Sequence, residues 1–168
     1  MTDKTAHKAE QAGRESFRFE PDTSVGFQVR MTHRAMQRAL QARIAPAGAT
    51  LGMWYFLRAL WSEDGLTQRE LADRTGTMEP TTMSAIQSME EKGLVRRVRN
   101  EKDRRKINVH LTVKGRALES ELLPVAAEVV ATAVKGFSER EIAMLLELLR
   151  GIQNNLGAVP GAGEEVPF

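Results

Sequence analysis

A chain of 168 residues, 42% of them apolar, can bury one real core, and no apolar run approaches the roughly 20 residues of a membrane-spanning helix. Cysteine is absent, which excludes disulfides, thiolate zinc sites and a cysteine redox switch, and His7, His33 and His110 are too widely spaced to suggest a metal site, so neither metal nor cofactor is expected. The net charge of +2 hides a polarity: residues 66–115 carry +4 and residues 116–168 carry −4, so the middle of the chain is the part suited to an anion.

Residues 1–22 are charged, poor in aliphatics and closed by Pro21, the composition of a disordered arm. They lack the apolar core of a secretory signal, which points to a cytoplasmic protein. From Val25 to Ile44 the pattern is helical, with Val25, Val29, Met36 and Leu40 near one face and Arg30, Arg34 and Arg38 recurring on another. Pro46 and Gly48 end that helix. A second fits Leu51 to Trp61, with Trp54 in the core, and closes at the Asp64-Gly65 turn. Thr67 opens a short third helix with Glu70 three residues on, a capping box; Leu71 and Ala72 face inward and Gly76 stops it. Pro80 suits the first turn of a fourth helix. There Thr82, Ala85, Ile86 and Met89 make the apolar stripe, while Thr81, Ser84, Gln87 and Ser88 lie mainly on a small, polar side.

Next comes RRVRNEKDRRKINVHLT, in which seven of the eleven residues from Arg96 to Lys106 are Lys or Arg. Val95 to Arg99 and Ile107 to Leu111 alternate like strands around a polar loop, Asn100 to Lys106, which reads as a β-hairpin. Thr112 caps a long helix through Leu118, Leu122, Val125, Val129 and Val130, interrupted near Pro124. The last helix starts at a second capping box, Ser138 with Glu141, and runs through Ile142, Leu145, Leu146, Leu149 and Ile152. The tail from Gly157 is rich in Gly and Pro and is expected to be loose.

Two short helices, a tight turn and a basic hairpin describe a winged helix-turn-helix. The fold class is therefore mainly α with a small β-hairpin wing, joined to a helical dimerisation region. In such a module the second helix enters the DNA major groove, here with Pro80, Thr81, Thr82, Ser84, Gln87 and Ser88 toward the bases. Arg104, Arg105 and Lys106 at the wing tip reach phosphates or the minor groove. A solvated loop would carry similar charge, but this one sits at a fixed offset from a helix-turn-helix. No Ser/His/Asp or Cys/His arrangement, phosphate-binding glycine loop or metal-ligand spacing is visible, so an enzyme is not expected.

LTQRELADRTG, the Pro-Thr of MEPTT, EEKGLVRR, Asp103-Arg104-Arg105 and LTVKGR together resemble the MarR family of bacterial transcription regulators, over about residues 24–156. The resemblance implies a homodimer on a pseudo-palindromic double-stranded DNA operator, most often a repressor. Between the arm at 1–22 and the tail at 157–168 that composition marks as disordered and flexible, it implies dimerisation and effector helices at 23–64, the winged module at 65–113 and dimerisation helices at 114–156. It also implies that Arg105 enters the minor groove, that Asp103 orients the wing by pairing with arginine, and that Thr81 is a recognition-helix threonine. Many relatives carry Arg where this chain has Ser84, which leaves open which bases are read. The family places its effector between the dimer helices and the winged module, and suggests a small aromatic acid or its coenzyme A thioester. Arg30, Arg34 and Arg38, with His33 beside them and no acid from Val25 to Ile44, suit such an anion. A solvated face, or one neutralised by glutamates of the C-terminal helices, would look the same. The rival function is an architectural or protein-interaction winged helix with no small-molecule effector.

Overall fold

The computed structural model describes residues 21–157, so the expected arm lies outside the described residues up to residue 20, as does the expected tail beyond Gly157. The chain divides into two units, 1–36 and 37–168, with the boundary inside the first long helix. The first unit holds a 3₁₀ turn, Pro21–Thr23, and the start of α1 (Val25–Ile44). The Ser24 hydroxyl accepts the Phe27 N–H there, satisfying one of the donors that a helix start leaves unpaired.

In the second unit α1 ends at Ile44, passes through a 3₁₀ turn, Ala45–Ala47, and stops at Gly48 in the left-handed region (φ +75°). α2 (Leu51–Ser62) begins where the Thr50 hydroxyl accepts the Met53 N–H, and the Gln41 amide oxygen accepts the Leu51 N–H at 2.9 Å. This helix is the centre of the core: Met53, Trp54, Phe56, Leu57, Ala59 and Leu60 are all buried, Trp54 as expected. Around it pack α3 (Gln68–Thr75), α4 (Glu79–Glu91) and α5 (Val113–Ala133), bringing Leu71, Ile86, Met89 and Leu122 into one apolar cluster. Each such side chain fully removed from water contributes about 1.5–3 kcal/mol.

The sheet has three strands in the order β1-β3-β2: β1 (Leu66–Thr67), β2 (Val95–Arg99) and β3 (Ile107–Leu111). The hairpin is antiparallel with Val95 opposite Leu111 and Arg99 opposite Ile107, the bounds expected from its alternation. The two-residue strand β1 was not expected; it pairs Leu66 with Val109 and anchors the wing's inner edge beside α3. A second departure is Pro124, which lies inside an unbroken α5. Proline removes one helical hydrogen bond, but Leu122 is buried and Val125 and Ala126 pack on the core, so packing holds the helix through it. α6 (Glu139–Asn155) carries the expected capping box and buries no residue.

Candidate nucleic-acid interface

The helix-turn-helix is held by local chemistry. The Thr67 hydroxyl and the Glu70 carboxylate cap α3 reciprocally, and the Thr67 N–H and hydroxyl together hold Glu70 below the usual carboxylate range. Gly76 (φ +61°) ends α3, and three threonine hydroxyls then staple the turn. Thr75 donates to the Leu71 carbonyl, Thr77 lies 2.8 Å from Thr75, and Thr82 lies 2.8 Å from Thr77. This corrects the expectation for Thr82. Its side chain is fully buried, within reach of the Met78 carbonyl as well, so it positions α4 and cannot touch a base.

Pro80 sits in the first turn of α4, and Pro80, Thr81, Ser84 and Gln87 are exposed, with Ser88 half-buried. Two of these polar groups are already engaged. The Ser84 hydroxyl donates to the Pro80 carbonyl at 3.1 Å, and the Gln87 amide donates to Glu91 at 3.0 Å.

The wing tip is built on Asn100 and Asp103. The Asn100 side-chain oxygen accepts the N–H groups of Lys102 and Asp103, and its amide donates to Asn108 across the hairpin. One oxygen of Asp103 accepts both the backbone N–H and the guanidinium Nε–H of Arg105, at 3.1 and 3.3 Å. Asp103 is half-buried while the Arg105 side chain is 92% exposed, so the aspartate fixes the loop and the arginine projects from it. Arg104 and Lys106 are exposed on either side.

Several contacts that support this surface join residues of different elements and had no readable signal in the sequence. Glu90 on α4 pairs with Arg97 on β2, at 2.7 Å, tying that helix to the wing. That guanidinium holds the Glu90 carboxyl below its ordinary range. Asp64, between α2 and β1, accepts the Leu111 N–H and pairs with Arg116 at 2.8 Å, with His110 at 3.8 Å. Burial pushes its carboxyl upward, but the Leu111 N–H, Arg116 and His110 together outweigh burial and hold it low. The LTVKGR run is a docking device. Thr112 donates to the Gly93 carbonyl and caps α5 through the Gly115 N–H, Lys114 reaches the Lys92 carbonyl, and Trp61 donates to the Gly115 carbonyl. Gly115 is buried against the Leu94 carbonyl, and a Cβ there would overlap that oxygen.

Arg30, His33, Arg34 and Arg38 all lie exposed on α1. The Arg30 guanidinium stands 5.5 Å over the Phe27 ring. Further along, Arg43 pairs with Glu128 of α5, so one of the four arginines of α1 is neutralised within the chain.

Helix-turn-helix, three-stranded wing and exposed basic tip define a winged-helix DNA-binding protein. A profile described as the MarR family matches residues 48–106. A MarR transcriptional regulator from Methanosarcina mazei superposes with a TM-score of 0.72 at 32% identity, over 80% of this chain and 98% of that one. The transcriptional regulator TtmR of Methylorubrum extorquens is 29% identical over 143 residues, 85% of this chain and 72% of TtmR. BpsR of Bordetella bronchiseptica, whose DNA binding is regulated by 6-hydroxynicotinic acid, superposes with a TM-score of 0.70 at 25% identity, over 77% of this chain and 98% of BpsR. The chain belongs to the MarR family of transcription regulators.

Proposed function

We propose that the protein is a homodimeric, sequence-specific repressor that releases a pseudo-palindromic operator on binding a small aromatic acid or its coenzyme A thioester. The observation that carries the DNA-binding half is the projecting Arg105, braced by Asp103 beside a recognition helix with an exposed polar face. Residues 65–113 are the DNA-binding module on this reading, and residues 23–64 and 114–156 serve dimerisation. Pro80, Thr81, Ser84, Gln87 and Ser88 face the bases, and Arg104, Arg105 and Lys106 face the backbone and minor groove.

The dimer reading is supported by α6, whose Met144, Leu145, Leu146 and Leu148 are 40–62% exposed in the single chain. Large apolar side chains left this open on one helix are an ordinary mark of a protein interface. Ending the chain at Phe137 removes them together with Ile142, Leu149 and Ile152. Sedimentation of the shortened protein is expected to give a monomer or an insoluble product, and a soluble, tight dimer would refute the assignment.

The effector reading is supported by the stripe of Arg30, Arg34 and Arg38, and by the aromatic acid that regulates BpsR. Residues four apart on a helix are neighbours, and like charges there cost a few tenths of a kcal/mol per pair, which a bound carboxylate or phosphate would relieve. Calorimetry with benzoate-type acids and their thioesters tests this. Binding is expected to release DNA and to weaken in Arg34→Ala. Release by a neutral or cationic compound alone would reject an anionic effector.

A further inference from the structure

The exposed face of α4 is poorly equipped for hydrogen-bonded base recognition. The segment Glu79–Glu91 contains no Lys, Arg or Asn, the residues that most often bond base edges bidentately, and it carries Glu79, Glu90 and Glu91. Two of its polar groups are partly spent, the Ser84 hydroxyl on the Pro80 carbonyl and one Gln87 amide N–H on Glu91, which leaves mainly the short hydroxyls of Thr81 and Ser88. Ser84 is left with acceptor capacity alone and Gln87 with a single N–H, whereas the purine N7 and O6 edges of the groove are acceptors. Against this background one long side chain on the outer surface is apolar. Met83 is 53% exposed, one turn from both Pro80 and Gln87. Pro80 and Ser84 beside it are small and allow the helix backbone to approach the groove floor.

Resting on the reading that α4 enters the major groove, we infer that Met83 is a specificity-determining residue that packs on the C5 methyl of a thymine in each half-site. The thymine methyl is the one apolar group that base pairs present in the major groove. A flexible, polarisable thioether conforms to such a target without a fixed geometry. Burial of both groups removes apolar surface from water on each side of the contact.

The test replaces thymines of a selected operator by uracil, one symmetric pair at a time, which deletes the methyl and leaves every hydrogen-bonding group in place. For wild type, one symmetric pair is expected to stand out. Losing its methyl should weaken binding about fourfold per half-site and about 15-fold for both, the size of one buried methyl group. Met83→Ala should bind the thymine and uracil operators equally. The inference is overturned if wild type binds every uracil operator like its parent, or if Met83→Ala keeps the full thymine preference. Wild type binding scrambled DNA as tightly as the selected operator would instead bring down the groove reading itself, and this inference with it.

Discussion

Affinity for operator DNA is expected to fall about 10³–10⁵-fold between 50 and 200 mM salt, if the dimer neutralises about 6–10 phosphates. On the proposed reading the charge responsible lies in the wing. Arg96, Arg99, Lys102, Arg104, Arg105 and Lys106 are exposed in the wing, whereas Arg97 is paired with Glu90. α4 supplies no basic side chain and three glutamates. On the proposed reading counterion release therefore comes mainly from the wing of each protomer, and groove readout from α4 works beside Glu79 and Glu91. Two consequences separate the roles. Removing a wing lysine or arginine should lower the slope of log affinity against log salt by about one for each phosphate left without its cation. Changing Ser84 or Met83 should alter the preferred sequence and leave the slope unchanged. Fluorescence anisotropy across the salt range measures both, and a nearly flat plot for wild type would contradict the wing assignment.

Gly115→Ala is expected to be the most damaging addition of a methyl to any glycine among the described residues, costing about 3–5 kcal/mol, in the range reserved for gross steric conflict. The obstacle is backbone. The added Cβ meets the Leu94 carbonyl oxygen and carbon, and the Leu111 side chain is close behind. Leu94 cannot retreat, because its carbonyl accepts the Thr112 N–H at 3.0 Å and its own N–H bonds to Met89 at 2.9 Å. Gly115 is held from the other side by Trp61. For a protein of this size the melting temperature should drop by about 10 °C or more. Gly52→Ala is the matched control. Gly52 is exposed in α2, and a Cβ there would meet only the Thr50 hydroxyl at 3.8 Å. That variant should be neutral or gain up to about 1 kcal/mol from helix propensity. Equal melting of Gly115→Ala and wild type would show that α5 does not dock on Leu94 in this way.

Both cases bear on what a sequence can disclose. The bounds of the hairpin were legible, because Ile107, Val109 and Leu111 alternate along one face of β3, but β2 does not mirror that pattern: Val98 pairs with Asn108 on the face opposite Val95. The capping boxes at Thr67 and Ser138 were legible too, being bonds across three residues. Interactions that span the chain were not. Strand β1 exists only because Leu66 meets Val109, and Asp64 matters only because Leu111 and Arg116 arrive beside it. LTVKGR was recognised as a family signature, yet its physical content is the approach of α5 to the Gly93-Leu94 turn. Thr82 shows the limit on α4 itself. Pattern put it on the apolar stripe and chemistry suggested a base contact; the stripe was right, and its hydroxyl turns inward to Thr77. The helical period could not decide which groups on the outer face were already spent, so Ser84 and Gln87 read as free donors until their partners were in place.

On the proposed reading the Asp103-braced wing and the face of α4 form one DNA-binding surface. Operator affinity of Arg105→Ala, at fixed salt and beside its melting temperature, measures it most directly. Arg105 is almost wholly exposed and supports no core residue, so its loss should leave stability within about 0.5 kcal/mol of wild type. Affinity should fall about 10–100-fold, as expected for losing a groove-inserted guanidinium from each wing of the dimer. Asp103→Ala should fall in the same direction by loosening the loop that aims Arg105. Unchanged operator affinity in a normally folded Arg105→Ala would contradict the account.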